Sequence, residues 1–304
     1  MLLGMLHERT VDKGSTVQSI DGAVAAIVEG IGMLLNEGAK EPALYVCPEY
    51  LFLQDNYVDP VSVFGEVVAG RHITDVVRGF QGTGQFEKAK SLMFSNARRY
   101  RPIFLEQKEY LQAELGGLTD GKDVILLAPI VYQDEERFYN SVFIFYNGKM
   151  IKEVVKGSFT PAENGISPYR HRDSYYANPS GAVMKEPKGE TREQVLMEML
   201  EEDTFIVNGK RYMVKICMDM MWAAGDAVNG EINRDYDYQI VCANWDSANL
   251  IFQDSGYTYL KDGGHYIVVN GYDASRFVGQ RKGDKIVQVD NSKYPQGTTS
   301  IIQV

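Results

Sequence analysis

Cys217, Glu49 and Lys156 supply a thiol, a carboxylate and an amine, the parts of a cysteine-based acyl-transfer site, and each stands at or near the end of an apolar run. Cys217 ends the alternating stretch Tyr212-Met213-Val214-Lys215-Ile216, with Asp219 two places on. A thiol at a strand end can project into a cleft while its backbone stays anchored in a sheet, the placement a nucleophile needs. Glu49 follows Pro48 and a short apolar run, and precedes Tyr50-Leu51-Phe52. Desolvation at such a position raises a carboxyl group toward the useful range of a general base. Lys156 closes a run containing Met150, Ile151, Val154 and Val155, where a cation could stabilise the oxyanion of a tetrahedral intermediate.

Each residue also has a plainer reading. A free cysteine is more often a small buried apolar residue than a reactive one. Glu49 could be a strand-end surface charge, and Lys156 a lysine whose stem lies along apolar surface with its amine in water. Lys152 is a rival cation four residues earlier. Cys47 and Cys242 lie inside apolar runs and read as inert. Taken singly the signals do not decide, so the elements and their spacing must.

Asp21 to Asn36 carries a helical stripe (Val24, Ile27, Val28, Ile31, Leu34, Leu35), with Asp21 as its cap and Gly38 after its end. Ala43 to Cys47, stopped by Pro48, reads as a buried strand. Phe86 to Leu115 reads as two helices broken before Pro102, a residue suited to a first helical position, with Gly116-Gly117 closing the second. Asp123 to Tyr132 and Asn140 to Tyr146 read as strands, and Asn147-Gly148 turns the chain into Met150 to Val155. Thr191 to Glu202 is an acidic amphipathic helix. Thr204 to Val207 and Arg211 to Cys217 flank a second Asn-Gly turn at Asn208-Gly209. Tyr238 to Ala243 and Tyr266 to Asn270 are strands, and Ala248 to Lys261 includes a helix. Helices and hairpins are mixed, with no repeat, low-complexity tract or Pro/Gly/Ser-rich linker, which predicts one domain of layered α/β structure over 1–304.

A chain of 304 residues with 44% hydrophobic and 24% charged residues can bury a large core and has the composition of a soluble globular protein. A net charge of −10 argues against nonspecific binding to nucleic acid or anionic membranes. Met1 to Leu6 is apolar but is cut short by His7-Glu8-Arg9, too brief for a signal sequence or a membrane span. Three cysteines in this length give no disulfide framework, so a reducing cytoplasm is expected. The four histidines show no metal-ligand spacing, and no Gly-x-Ser-x-Gly elbow is present. Gly79 to Gly84 has glycine spacing unlike the nucleotide-binding fingerprints. The run Arg98-Arg99-Tyr100-Arg101 reads as a solvated helix end.

Taken in order, the motifs resemble the carbon–nitrogen hydrolase (nitrilase) superfamily, whose catalytic set is Glu, Lys and Cys with a second Glu. Its first motif is similar to Val46-Cys47-Pro48-Glu49-Tyr50-Leu51-Phe52. Its second has an Asn on one hairpin strand and the lysine eight residues after a turn glycine. Here Tyr139-Asn140-Ser141 fits, and counting eight from Gly148 gives Lys156 rather than Lys152. Glu163, in Pro161-Ala162-Glu163-Asn164, stands where the second Glu follows the lysine. Ile216-Cys217-Met218-Asp219 resembles the third motif, and Cys-x-Asp leans toward the amide-hydrolysing branch. The resemblance runs from about Thr16 to Asn270, with Thr16-Val17-Gln18 similar to the end of the usual first strand. It departs at Val154, at Ser158-Phe159 and at Asp262 to His265, which bears on substrate more than on chemistry.

What the resemblance implies is a four-layer α-β-β-α sandwich, a homodimer or higher homo-oligomer, and a small-molecule amide substrate, with neither metal nor organic cofactor. Glu49, Lys156 and Cys217 would be catalytic, and Glu163 would orient the lysine and the attacking water. The Met218 N–H would be a second oxyanion donor. Trp222, Asn244, Trp245 and Asp246 would line the pocket. The same resemblance leaves open an acyltransferase and a catalytically silent metabolite-binding protein. Two segments are long for the family, about 61–121 and 165–202. The second carries Arg170 and Arg172 among aromatics, suited either to a substrate carboxylate or to a subunit contact.

Overall fold

The computed structural model describes residues 1–8, 11–12, 15–16, 19–38, 41–52, 103–133, 138–156, 200–217, 235–244, 259–290 and 298–304. Twelve of the strands it describes form two six-stranded mixed sheets. The first sheet has the order β14(Thr298–Gln303)-β1(Leu2–His7)-β4(Ala43–Val46)-β5(Val124–Gln133)-β6(Phe138–Tyr146)-β7(Lys149–Val155). The second has the order β13(Lys285–Asp290)-β12(Arg276–Lys282)-β11(Leu260–Asn270)-β10(Tyr236–Ala243)-β9(Lys210–Ile216)-β8(Thr204–Val207). Two short strands, β2(Val11–Asp12) and β3(Ser15–Thr16), pair only with each other.

The sheets pack face to face. Leu44, Val46 and Leu127 of the first meet Ile216, Ile240 and Cys242 of the second in a core with no solvent access. The alternate residues Tyr45, Leu126 and Phe143 point the other way, toward two helices, α1(Ile20–Asn36) and α2(Leu105–Thr119). A strand covered on both faces reads as an unbroken apolar run, which is what Ala43–Val46 is. On the far side of the second sheet, Met213, Val241, Tyr266 and Phe277 form a third cluster joined by Leu200, from a helical turn at 200–202. The architecture is the expected α/β sandwich.

Helix α1 is capped by Ser19, whose Oγ accepts the N–H of Gly22 at 3.1 Å, so Asp21 lies in the first turn rather than at the cap. Ala23, Ile27, Ile31 and Leu34 are buried, while Val28 and Leu35 face outward. Gly30 admits the Tyr45 side chain: a Cβ there would sit 1.9 Å from the phenolic oxygen. The Tyr45 hydroxyl in turn meets Thr299 Oγ1 at 2.7 Å, joining α1, β4 and β14.

Helix α2 begins at Leu105, not at Pro102, because Ile103 is held in a bridge to Tyr132. It also runs past Gly116-Gly117 to Thr119. Gly116 serves close approach rather than termination, since a Cβ there would lie 3.2 Å from the carbonyl oxygen of Gly148. Thr119 completes the joint, accepting the Gly148 N–H at 3.1 Å. Both expected Asn-Gly turns form with positive φ at each residue (50° and 76° at 147–148, 49° and 74° at 208–209), the geometry that matches strand twist in tight hairpins.

The first strand is Leu2–His7, not a segment ending at Thr16 to Gln18. It lies between β4, to which it is parallel, and β14, to which it is antiparallel. Of the segment 248–261, expected to include a helix, only 259–261 are described, and Leu260 starts β11, which continues through Asp262-Gly263-Gly264-His265 with a register shift against β10. Strands β12, β13 and β14, which have no counterpart among the expected elements, extend the second sheet and the edge of the first.

At the end of β1, His7 ties the two sheets together. Its Nδ1 lies 3.0 Å from the Ala274 carbonyl oxygen and therefore carries the proton. Nε2 then accepts from Ser300 Oγ at 2.7 Å and from Arg276 Nη1 at 3.3 Å, and Arg276 also pairs with Asp290. Burial, helped by the Arg276 charge, lowers the imidazole pKa to about 4. Among the described residues, no helix is long and apolar enough to cross a membrane.

Candidate active site

Strand β4 ends at Val46, and the chain passes through Cys47-Pro48 to Glu49, whose side chain is fully buried. Tyr50 follows at φ 62°, in the left-handed region, which turns the chain away directly after the carboxylate. Strand β7 ends at Val155, and Lys156 is likewise buried. Its Nζ donates to Glu49 Oε1 at 2.8 Å. Asn140, near the start of β6, donates through Nδ2 to the same oxygen, also at 2.8 Å. Its backbone carbonyl accepts the Lys156 N–H at 2.8 Å. The face of the Tyr50 ring is 6.0 Å from Lys156 Nζ, a further favourable surface for the cation. Lys152 sits within β7 opposite Ile144, so Lys156 is the lysine that meets Glu49.

Cys217 follows β9 directly and is 4% exposed. Its φ of 46° is unusual for a residue with a side chain. The turn is closed by its N–H, which donates to the Cys242 carbonyl at 2.9 Å on the neighbouring β10. Strand β9 packs across the sandwich from β6 and β7. On the face of β9 turned away from the first sheet, Lys215 and Asp203 form a buried ion pair at 2.5 Å. The Asp203 carbonyl also accepts the Val214 N–H at 2.9 Å. The strand leading to Cys217 is thus pinned from behind.

The other two thiols lie in apolar surroundings. Burial raises the Cys47 pKa well above its ordinary value, with Cys242 adding to the effect. Cys242 is raised first by burial and then by the charge of Glu49, which places that carboxylate within electrostatic reach of the second sheet.

Similarity to solved structures was found over nearly the whole chain. Nit3 of Saccharomyces cerevisiae, a member of branch 10 of the nitrilase superfamily, is 12% identical, with 99% of this chain and 89% of that one covered at a TM-score of 0.53. The chain has the nitrilase-superfamily fold. A carbon–nitrogen hydrolase from Helicobacter pylori (12% identity, 99% and 87% covered, TM-score 0.48) and an amidase of the nitrilase superfamily from Nesterenkonia (11% identity, 100% and 90% covered, TM-score 0.47) are also similar. No protein-family model matches the chain, and no curated protein matches it in sequence.

On the nitrilase fold, the described residues bring Glu49, Lys156 and Asn140 into one hydrogen-bonded group, with Cys217 at the strand end of the facing sheet. Asn244 follows β10 and is half-buried. Glu163, Met218, Trp222, Trp245, Asp246, Arg170 and Arg172 lie outside the described residues. So do residues 61–102 and 165–199 of the long segments 61–121 and 165–202. No role was assigned to Asn140 from the sequence, although a signal was present: it is an amide in line with Val142 and Ile144 on a strand otherwise apolar on that face.

Proposed function

We propose that the protein hydrolyses a non-peptide C–N bond of an amide through a thioester on Cys217. The observation that carries this reading is the meeting of the Lys156 amine and the Asn140 amide on the buried carboxylate of Glu49. A buried carboxylate held beside a cation can take a proton and return it within one reaction cycle.

Glu49 removes the thiol proton of Cys217, and the thiolate attacks the amide carbonyl carbon. The carbonyl oxygen becomes an oxyanion, stabilised by the Lys156 ammonium and the Met218 N–H. Collapse of this intermediate breaks the C–N bond, and Glu49 returns its proton to the departing ammonia or amine. A water molecule, deprotonated by Glu49 and oriented by Glu163, attacks the thioester carbonyl. The acid leaves, and the proton on Glu49 regenerates the Cys217 thiol. The balance is one amide and one water in, one acid and one amine out. The motif Cys217-Met218-Asp219 favours amides over nitriles, and the chain's own residues supply each proton transfer.

Arg170 or Arg172 is proposed to bind a substrate carboxylate, because an arginine forms paired hydrogen bonds to that group. Alanine at each should raise KM for carboxylate-bearing amides and spare neutral ones. A cytoplasmic homodimer, with Trp222, Asn244, Trp245 and Asp246 lining the pocket, completes the proposal.

The test is incubation with a panel of small amides, measuring ammonia or amine release and trapping a Cys217 acyl adduct by mass spectrometry. Release that disappears in Cys217→Ala and Glu49→Gln supports hydrolysis. Product appearing only with an added amine or alcohol acceptor would assign acyl transfer instead. Ligand retention without turnover would assign a silent binding protein.

A further inference from the structure

Asn140 does two separable things. Its backbone carbonyl accepts the Lys156 N–H at 2.8 Å, a bond that any residue at this position could make. Its side chain donates to Glu49 Oε1 at 2.8 Å, and that bond requires an amide. The side chain is 1% exposed, in the row of inward-facing residues continued by Val142 and Ile144. An amide in a dry interior is unfavourable unless hydrogen-bonded, so its presence among valine and isoleucine is explained by its partner. The partner is the carboxylate that also meets Lys156.

We infer that Asn140 is a positioning residue that fixes the Glu49 carboxylate against the Lys156 ammonium and favours its ionised form. The inference rests on the proposed role of Glu49 as the base. Three elements end at this point: β4 supplies the carboxylate, β7 the amine, and β6, between β5 and β7, the amide. With two donors on one oxygen, the carboxylate plane is set by two directions rather than one. The Asn140 amide, on a short side chain, adds a direction that a lysine on four rotatable bonds holds less firmly. A neutral third member is also required. A second carboxylate would repel Glu49 and favour its protonation, whereas a leucine would remove a bond made to the charged form. Both changes raise the pH at which Glu49 becomes competent as a base, and the carboxylate does so more.

The experiment measures the rate of Cys217 alkylation by iodoacetamide from about pH 5 to about pH 9, read by peptide mapping, with amide turnover measured in parallel. Asn140→Leu should slow alkylation and lower kcat about 10- to 100-fold with little change in KM. The acid limb should move to higher pH, and further in Asn140→Asp. In a Glu49→Gln background, Asn140→Leu should add less than about a 2-fold effect, because the two residues act as one unit. Melting temperatures report folding, and Asn140→Thr, which suits a strand and is too short to reach Glu49, replaces the leucine variant if that one does not fold. An unmoved acid limb in Asn140→Leu, or an equal loss in the native and Glu49→Gln backgrounds, overturns the inference. Alkylation and turnover unaffected by Glu49→Gln alone would overturn the base assignment itself, a different result.

Discussion

Lys156 Nζ and Glu49 Oε1 are 2.8 Å apart, with both side chains nearly sealed from solvent. Two opposite charges in such a place stabilise each other, but neither is tolerated alone. Removing one partner of a buried pair costs about 3–5 kcal/mol, whereas replacing both with apolar groups can be neutral. Lys156→Met should therefore destabilise the fold by about that amount. Glu49→Leu combined with Lys156→Met should recover part of it while remaining inactive, because the buried Asn140 amide then loses its acceptor. Urea unfolding of the single and double variants checks this, and additive losses would show that the pair is not coupled.

A second expectation concerns the thiols. Cys47 and Cys242 are fully buried, and burial pushes both above their ordinary pKa. In the folded protein at neutral pH, limited alkylation should modify Cys217 first. The other two should react only after denaturant opens the sandwich. Peptide mapping that finds Cys47 or Cys242 labelled ahead of Cys217 would reverse the assignment of the reactive thiol.

The lowered pKa of His7, about 4 against an ordinary 6.5, makes stability depend on acid. The neutral ring is the form that accepts from Ser300 and Arg276, so the unfolded chain binds the proton more readily. Its contribution is intact above about pH 6.5 and is lost as pH falls toward 4. The loss amounts to about 2 kcal/mol by about pH 5 and about 3 kcal/mol once the folded ring is protonated. His7→Gln should flatten this part of the profile. Melting curves at about pH 7 and about pH 5 for native and variant protein provide the comparison, and an identical slope in both would remove His7 as its source.

Gly30 and Gly32, both on α1, should respond with opposite signs to the same substitution. At Gly30 a methyl group would collide with Tyr45 and Thr299, so Gly30→Ala should destabilise by about 1–3 kcal/mol. At Gly32 nothing lies within 4 Å of the added carbon, so Gly32→Ala should stabilise by about 0.5–1 kcal/mol. Chemical denaturation of the two variants decides both.

What could be read from the sequence was set by short-range chemistry. The Asn-Gly turns were legible because two consecutive residues must take positive φ, and β4 because the apolar run Ala43 to Cys47 stops at Pro48. Lys156 could be separated from Lys152 by counting from a turn glycine. Asn140 stayed without a role because its reason for being polar is Glu49, 91 positions away in the chain. Gly116-Gly117 suggested a helix end, but the first of these glycines makes room for a turn on another element. Asp262 to His265 departs from the family pattern, and the strand passes through it with a register shift. Those pairings belong to the tertiary structure and leave no periodic trace.

The place of β1 between β4 and β14 has a consequence for how the chain reaches its fold. Leu2 is paired with Gln303, so one side of β1 waits for a strand that is made much later along the chain. Until then β1 presents an unpaired apolar edge, of the kind that other chains can join. Contacts this distant also slow folding, since a long loop must close before they form. The step that completes the first sheet is therefore late, and the interval before it is when this protein is most open to aggregation or to capture by a chaperone.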